Sequence, residues 1–170
     1  MGGGVPGDMA SGWVRRAAVG GAAGLGAAVV MSLFMGLARR ALPPEERGPL
    51  PPRTVTKNLL RAAGRPIDDA PNPDQASAAL VAHLGYGAAL GALYGPLAGA
   101  TRLAPAAEGL GYGLLAWAVN YPLLLPAVGL IAPVDRETPR RTALMVAANG
   151  LFGAVLGLFT RALDGRSIRR

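Results

Sequence analysis

Residues 87 to 99 read GAALGALYGPLAG, with glycine at 87, 91, 95 and 99 inside an apolar run. In water glycine is the weakest helix former after proline, by roughly 1 kcal/mol per residue against alanine. A glycine at every fourth position therefore needs either a different solvent or a packing reason. The composition of the whole chain points to the solvent. Of 170 residues 16% are charged and 51% hydrophobic, and the mean hydropathy is +0.33, where a soluble domain would be about a quarter charged.

Four stretches, residues 17–38, 76–101, 109–134 and 142–160, contain no Asp, Glu, Lys or Arg. At about 1.5 Å per residue even the shortest comes close to the roughly 30 Å hydrocarbon layer of a bilayer. None has the polar face that a helix in a soluble fold would turn to water. The expectation is an all-α integral membrane four-helix bundle formed by a single domain at 17–165. A flexible tail at 1–16 precedes it and a basic tail at 166–170 follows. Arg15-Arg16 followed by an apolar run resembles the start of a secretory signal, but the run is long and ends in Arg39-Arg40, which predicts an uncleaved first span.

The formal charge is +7 and the isoelectric point is near 11.0, which in a soluble chain would raise nucleic acid as a partner. Here Arg15, Arg16, Arg39, Arg40, Arg140, Arg141 and Arg161 stand at span boundaries, where arginine reaches the headgroups and biases insertion. No basic stripe alternates with exposed aromatics, so nucleic acid is excluded as the expected partner. The chain has no cysteine, which removes thiolate chemistry, disulfides and Cys-ligated metals and leaves the redox compartment open. The N-tail, second loop and C-tail hold seven of the 17 Lys and Arg residues, and the first and third loops hold ten. That margin does not fix which side the termini face.

The first loop, residues 39–75, is the sizeable polar segment. Pro43, Pro44, Pro49, Pro51 and Pro52 predict an extended opening. After them Val55, Leu59, Ala62 and Ala63 recur on one side while Thr54, Lys57, Asn58, Arg61 and Arg65 recur on the other. This predicts a short amphipathic helix at 54–64, lying in the headgroup plane or folded against the bundle end, and ended by Gly64.

In lipid, water expulsion does not drive apolar helices together, and small residues that let backbones approach take over. GxxxG-type packing is thus the expected use of Gly87, Gly91, Gly95 and Gly99 on span two. Span one carries Gly20, Gly24, Ala28, Ser32 and Gly36 at the same interval, span three opens with Gly109 and Gly113, and span four carries Gly153 and Gly157.

Three polar side chains interrupt the spans. His83 is the one ionisable group there apart from tyrosine, and an intramembrane ionisable residue is by default a functional candidate. It lacks an intramembrane carboxylate to pair with, and no span offers a second strong metal ligand, so a structural hydrogen bond outweighs a proton or metal role. Asn120 begins NYPLLLP, where Pro122 and Pro126 each remove a helical donor and predict a kink of the kind transporters use to expose backbone. Asn149 shares a face with Gly153 and Gly157, which predicts an interhelical hydrogen bond.

The order of these features is recognisable. PLPPR at 49–53, LLRAAG, an early histidine and Tyr94-Gly95 in span two, Trp117 before a Pro-x-x-x-Pro and Gly129-Leu130, and an arginine after span four resemble the YagU-like family of small bacterial inner-membrane proteins. The resemblance covers roughly residues 17–165. It implies a multi-pass inner-membrane location and brings no catalytic residue with it.

No Ser-His-Asp set, HExxH, phosphate-binding glycine loop or paired intramembrane carboxylates can be placed, so catalytic residues, cofactors and metals are not expected. The function expected is that of a structural or interaction component, with membrane lipid and either another membrane protein or a second copy as partners. The alternative is a small channel or carrier using His83, Asn120 and the kinked third span.

Overall fold

The computed structural model describes residues 6–47, 55, 57–58, 60–61, 64, 73–127, 129 and 138–165. Among them lie four principal helices: α1 (Pro6–Ala41), α2 (Pro73–Tyr94), α3 (Pro105–Val119) and α4 (Pro139–Leu163). Three stretches, Ala10–Ala41, Ala76–Leu97 and Pro139–Leu163, are long and apolar enough to cross a membrane. The α3 helix has 15 residues of its own, but a five-residue π-turn at Asn120–Leu124 and a last α-turn at Leu125–Ala127 extend it without a break.

The helices stand in the spatial order α2, α1, α4, α3: α1 packs on α2 and on α4, and α4 packs on α3. The backbones of α2 and α3 scarcely meet. Two close pairs, α1 with α2 and α3 with α4, are therefore joined back to back along α1 and α4, with an open seam between α2 and α3.

Glycine makes each close pair possible. A β-carbon placed on Gly20 would lie 2.7 Å from the Cα of Gly95, and one on Gly113 would lie 2.9 Å from the Cα of Gly153. Gly109 and Gly157 face backbone in the same way, with Gly153 and Pro105 respectively. Larger side chains at these points would drive the helices apart. Along α1 and α4 the contact is made instead by side chains: Ala23, Ala27, Ala28, Ala148, Phe152 and Leu156 are all buried. Large apolar residues such as Leu33, Leu37, Leu93 and Leu115 point outward and are more than half exposed.

The two ends of the bundle are tied by polar contacts. At one end, Arg47 folds back to donate to the Leu42 carbonyl (2.8 Å) and the Arg40 carbonyl (2.9 Å), while Arg39 donates to the Arg47 carbonyl. The two bonds from Arg47 occupy acceptors that the end of α1 leaves without intrahelical donors. Beside them Glu46 accepts from the Thr138 hydroxyl at 2.9 Å, and its carbonyl accepts from Arg141 at 2.8 Å. Thr138 in turn caps α4. At the other end Arg15 pairs with Asp164 at 2.9 Å, so α1 and α4 are antiparallel from end to end.

Several expectations change. Residues 6–16 continue α1 rather than forming a loose tail: Pro6 is tolerated in a first turn, and the Arg15–Asp164 pair anchors the extension. The opening of the first loop is not extended, because Pro44 starts a 3₁₀ turn at Pro44–Glu46. Residues 48–54 lie outside the described residues, as do 1–5 and the tail at 166–170. The second span stops short of residue 101. Pro96 sits in a 3₁₀ turn at Gly95–Leu97 and Gly99 has a φ of 81°, so Gly99 belongs to a turn and not to the glycine strip. Gly36 has nothing within 4 Å of its would-be β-carbon and is exposed, so it packs against nothing among the described residues. The third helix is described as far as Ala127, and the remainder of 109–134 lies outside the described residues except for Gly129.

Within 54–64, Val55, Lys57, Asn58, Leu60 and Arg61 are helical. Gly64 follows at a φ of 71°, with its N–H donating to the Arg61 carbonyl at 3.0 Å. This is how a glycine ends a helix.

Candidate functional site

The seam between α2 and α3 closes differently along its length. Towards the short loop that joins them, Tyr112 bridges it: its hydroxyl donates to the Leu90 carbonyl at 2.8 Å, and its ring lies 5.0 Å from that of Tyr94. Glu108 holds the loop, accepting from the backbone N–H of Gly99 (3.0 Å) and of Thr101 (3.1 Å).

Towards the other end the backbones of α2 and α3 stay apart, and a cavity of about 390 Å³ remains. That volume lies within the range of small-molecule sites. All four helices line it, through Met31 and Met35 of α1, His83 and Tyr86 of α2, Trp117 of α3, and Phe152 of α4, among others. Val55, from the loop helix, reaches it as well. Two lining residues, Tyr86 and Leu124, are about half exposed, so the cavity opens outward through the seam.

His83, Asn120 and Asn149, on α2, the π-turn and α4, all line this one cavity. The Asn120 amide nitrogen donates to the Ala116 carbonyl at 2.8 Å and that of Asn149 to the Met145 carbonyl at 2.9 Å. Both bonds run back one turn within their own helix, so the interhelical bond expected of Asn149 is not what its amide nitrogen makes. The π-turn follows from Pro122, which has no N–H to offer the carbonyl of Ala118. The helix instead widens by one residue, and the Leu125 N–H reaches the Asn120 carbonyl. π-Bulges of this kind are frequent at functional sites.

His83 and Trp117 line the cavity, but their ring nitrogens His83 Nε2 and Trp117 Nε1 are buried and have no hydrogen-bond partner among the described residues. Trp117 stacks on Tyr121 at 6.3 Å with the rings 18° from parallel, which holds the indole in place. In the sequence Trp117 stood out only as part of the family resemblance, and Met31, Met35, Met145 and Phe152 gave no signal at all. Among the described residues the lining carries no Asp, Glu, Lys or Arg, and no three His, Asp or Glu side chains converge anywhere.

A second pocket, of about 330 Å³, lies at the Arg15–Asp164 end, lined by Arg102, Glu108, Thr160, Arg161 and Asp164. Its charged groups include Glu108 and Asp164, which already hold the loop and the helix ends.

Comparison with known protein families, curated proteins and solved structures finds no match to this chain.

Proposed function

We propose that the chain is a multi-pass protein of a bacterial inner membrane, in keeping with its resemblance to the YagU-like family, and that it binds a small amphipathic molecule between α2 and α3. In this reading the continuous run from Pro105 to Ala127 is a fourth span, and the glycine contacts of the two close pairs are GxxxG-type packing in lipid. The protein is then a structural or interaction component with no catalytic chemistry of its own, acting through what it holds. One observation carries the reading: polar side chains from three helical segments converge on an otherwise apolar cavity that opens through a seam between two helices. A soluble bundle would close such a seam with apolar side chains, because a cavity left in a core destabilises it.

Two measurements test this. The chain should stay in the membrane pellet after carbonate washing, and release into solution would remove the membrane premise. In native mass spectrometry from detergent, the wild type should retain a bound amphiphile that Ala116→Phe, which fills the cavity, does not. Identical adducts on both proteins would contradict the binding site.

The alternative, a small channel or carrier, is favoured by one feature, the π-turn at Asn120–Leu124 on the cavity wall. Irregular backbone inside a membrane is found where it lines a water-filled or substrate-filled space. Ion flux in liposomes that His83→Ala abolishes would favour this reading over simple binding.

A further inference from the structure

Two side-chain contacts cross the α2–α3 seam, one helical turn apart on α2. The Tyr112 hydroxyl reaches the Leu90 carbonyl, and four residues before Leu90 the side chain of Tyr86 hydrogen-bonds with that of Asn120. The first contact stands on the closed side of the seam. The second stands at the mouth: Tyr86 and Asn120 both line the cavity, and Tyr86 is 47% exposed, so it borders the cavity and the outside at once. We infer that Tyr86 is a gate, closed when its side chain engages Asn120 across the mouth and open when the ring swings outward. This inference rests on the binding reading above and specifies how the ligand enters and leaves.

The two partners differ in freedom, and that difference assigns the moving part. Asn120 is fixed: its amide nitrogen donates to the Ala116 carbonyl at 2.8 Å, and its backbone carbonyl accepts from the Leu125 N–H in the π-turn. Tyr86 stands on a helix whose backbone scarcely meets α3, and a half-exposed ring can change rotamer without either helix moving. Leu124, the other half-exposed residue at the mouth, has no polar side-chain atom to add to the tie. One net hydrogen bond favours the closed state by about fivefold. That is enough to keep the mouth shut for most of the time and small enough to let it open thermally.

The test uses Trp117, which lines the same cavity, as a fluorescent reporter. The chain has two tryptophans, so Trp13→Phe isolates its signal, and iodobenzene dissolved in the detergent micelle is the quencher. In that background Tyr86→Phe keeps the ring and removes the hydroxyl, and the quenching constant should rise about three- to fivefold, as the loss of one net hydrogen bond allows. Asn120→Ala removes the other partner. It should give the same rise, and carries the test if the tyrosine variant does not elute as a single species. Tyr112→Phe removes the contact away from the mouth and should leave quenching unchanged. Ala116→Phe, added to each variant, should bring quenching to one low value, because it fills the space the quencher enters. Unchanged quenching in Tyr86→Phe and Asn120→Ala, with Ala116→Phe still lowering it, would overturn the gate and leave the cavity reading standing. An equal rise in Tyr112→Phe would also overturn the gate, since general loosening of the seam would then account for the effect. Quenching that Ala116→Phe lowers in no background would overturn the cavity reading itself.

Discussion

Gly24 of α1 and Gly91 of α2 meet so closely that a β-carbon on the first would lie 2.9 Å from the Cα of the second, and a β-carbon on the second 2.7 Å from the Cα of the first. Real β-carbons do not come this near another carbon. The obstacle is backbone, which cannot rotate away as a side chain can. Gly91→Leu should therefore destabilise the bundle by about 3 kcal/mol or more, at the upper end of overpacking effects. The fraction eluting as a single species in mild detergent should fall steeply. Ala89→Leu, on the exposed side of α2, and Gly36→Leu, with open space around it, should elute like wild type. Equal losses for all three would show that the glycine contacts do not hold the helices together.

The spacing of the glycines was legible in the sequence, but which helices it brings together was not, because the interval marks a face of one helix and does not name its neighbour. What spacing alone does not reveal is where the contact ends. Gly36 keeps the interval but faces open space, and Gly99 keeps it beyond the end of α2. Pro96 was the signal for that second limit: a proline near a helix end followed by a glycine marks a stop. The meeting of His83, Asn120 and Asn149 in one cavity was not legible, because it depends on how three helices are rotated about their axes. That rotation is set by the glycine contacts acting together with the widened turn at Pro122.

Tyr112 bridges the seam from α3 to the Leu90 carbonyl on α2, where the two backbones scarcely meet. Tyr112→Phe removes the hydroxyl and keeps the ring beside Tyr94. It should lower stability by about 1 kcal/mol, the net worth of one hydrogen bond, seen as a lower thermal midpoint in detergent. An unchanged midpoint would mean that the bond does not hold α2 against α3.

Glu108 carries the turn between α2 and α3 by accepting from Gly99 and Thr101. Glu108→Ala frees both backbone donors at once and should speed protease cleavage within residues 98–104, with a loss of about 1 kcal/mol. Glu108→Gln, which keeps one acceptor oxygen, should fall between the two. Cleavage at the wild-type rate in the alanine variant would show that the turn is held by its own backbone.

In the proposed reading the cavity opens to lipid through the α2–α3 seam, and photolabelling of the protein in its native membrane tests that most directly. An apolar aryl diazirine dissolved in the bilayer inserts into whatever it touches, and mass spectrometry locates the modified residues. The expected pattern in wild type is label on the buried wall, at Trp117, Asn149 and Phe152, in addition to outward residues such as Leu33, Leu37 and Leu115, with the wall label lost in Ala116→Phe. Label confined to the outward leucines in both proteins would contradict a cavity that lipid-dissolved molecules can enter.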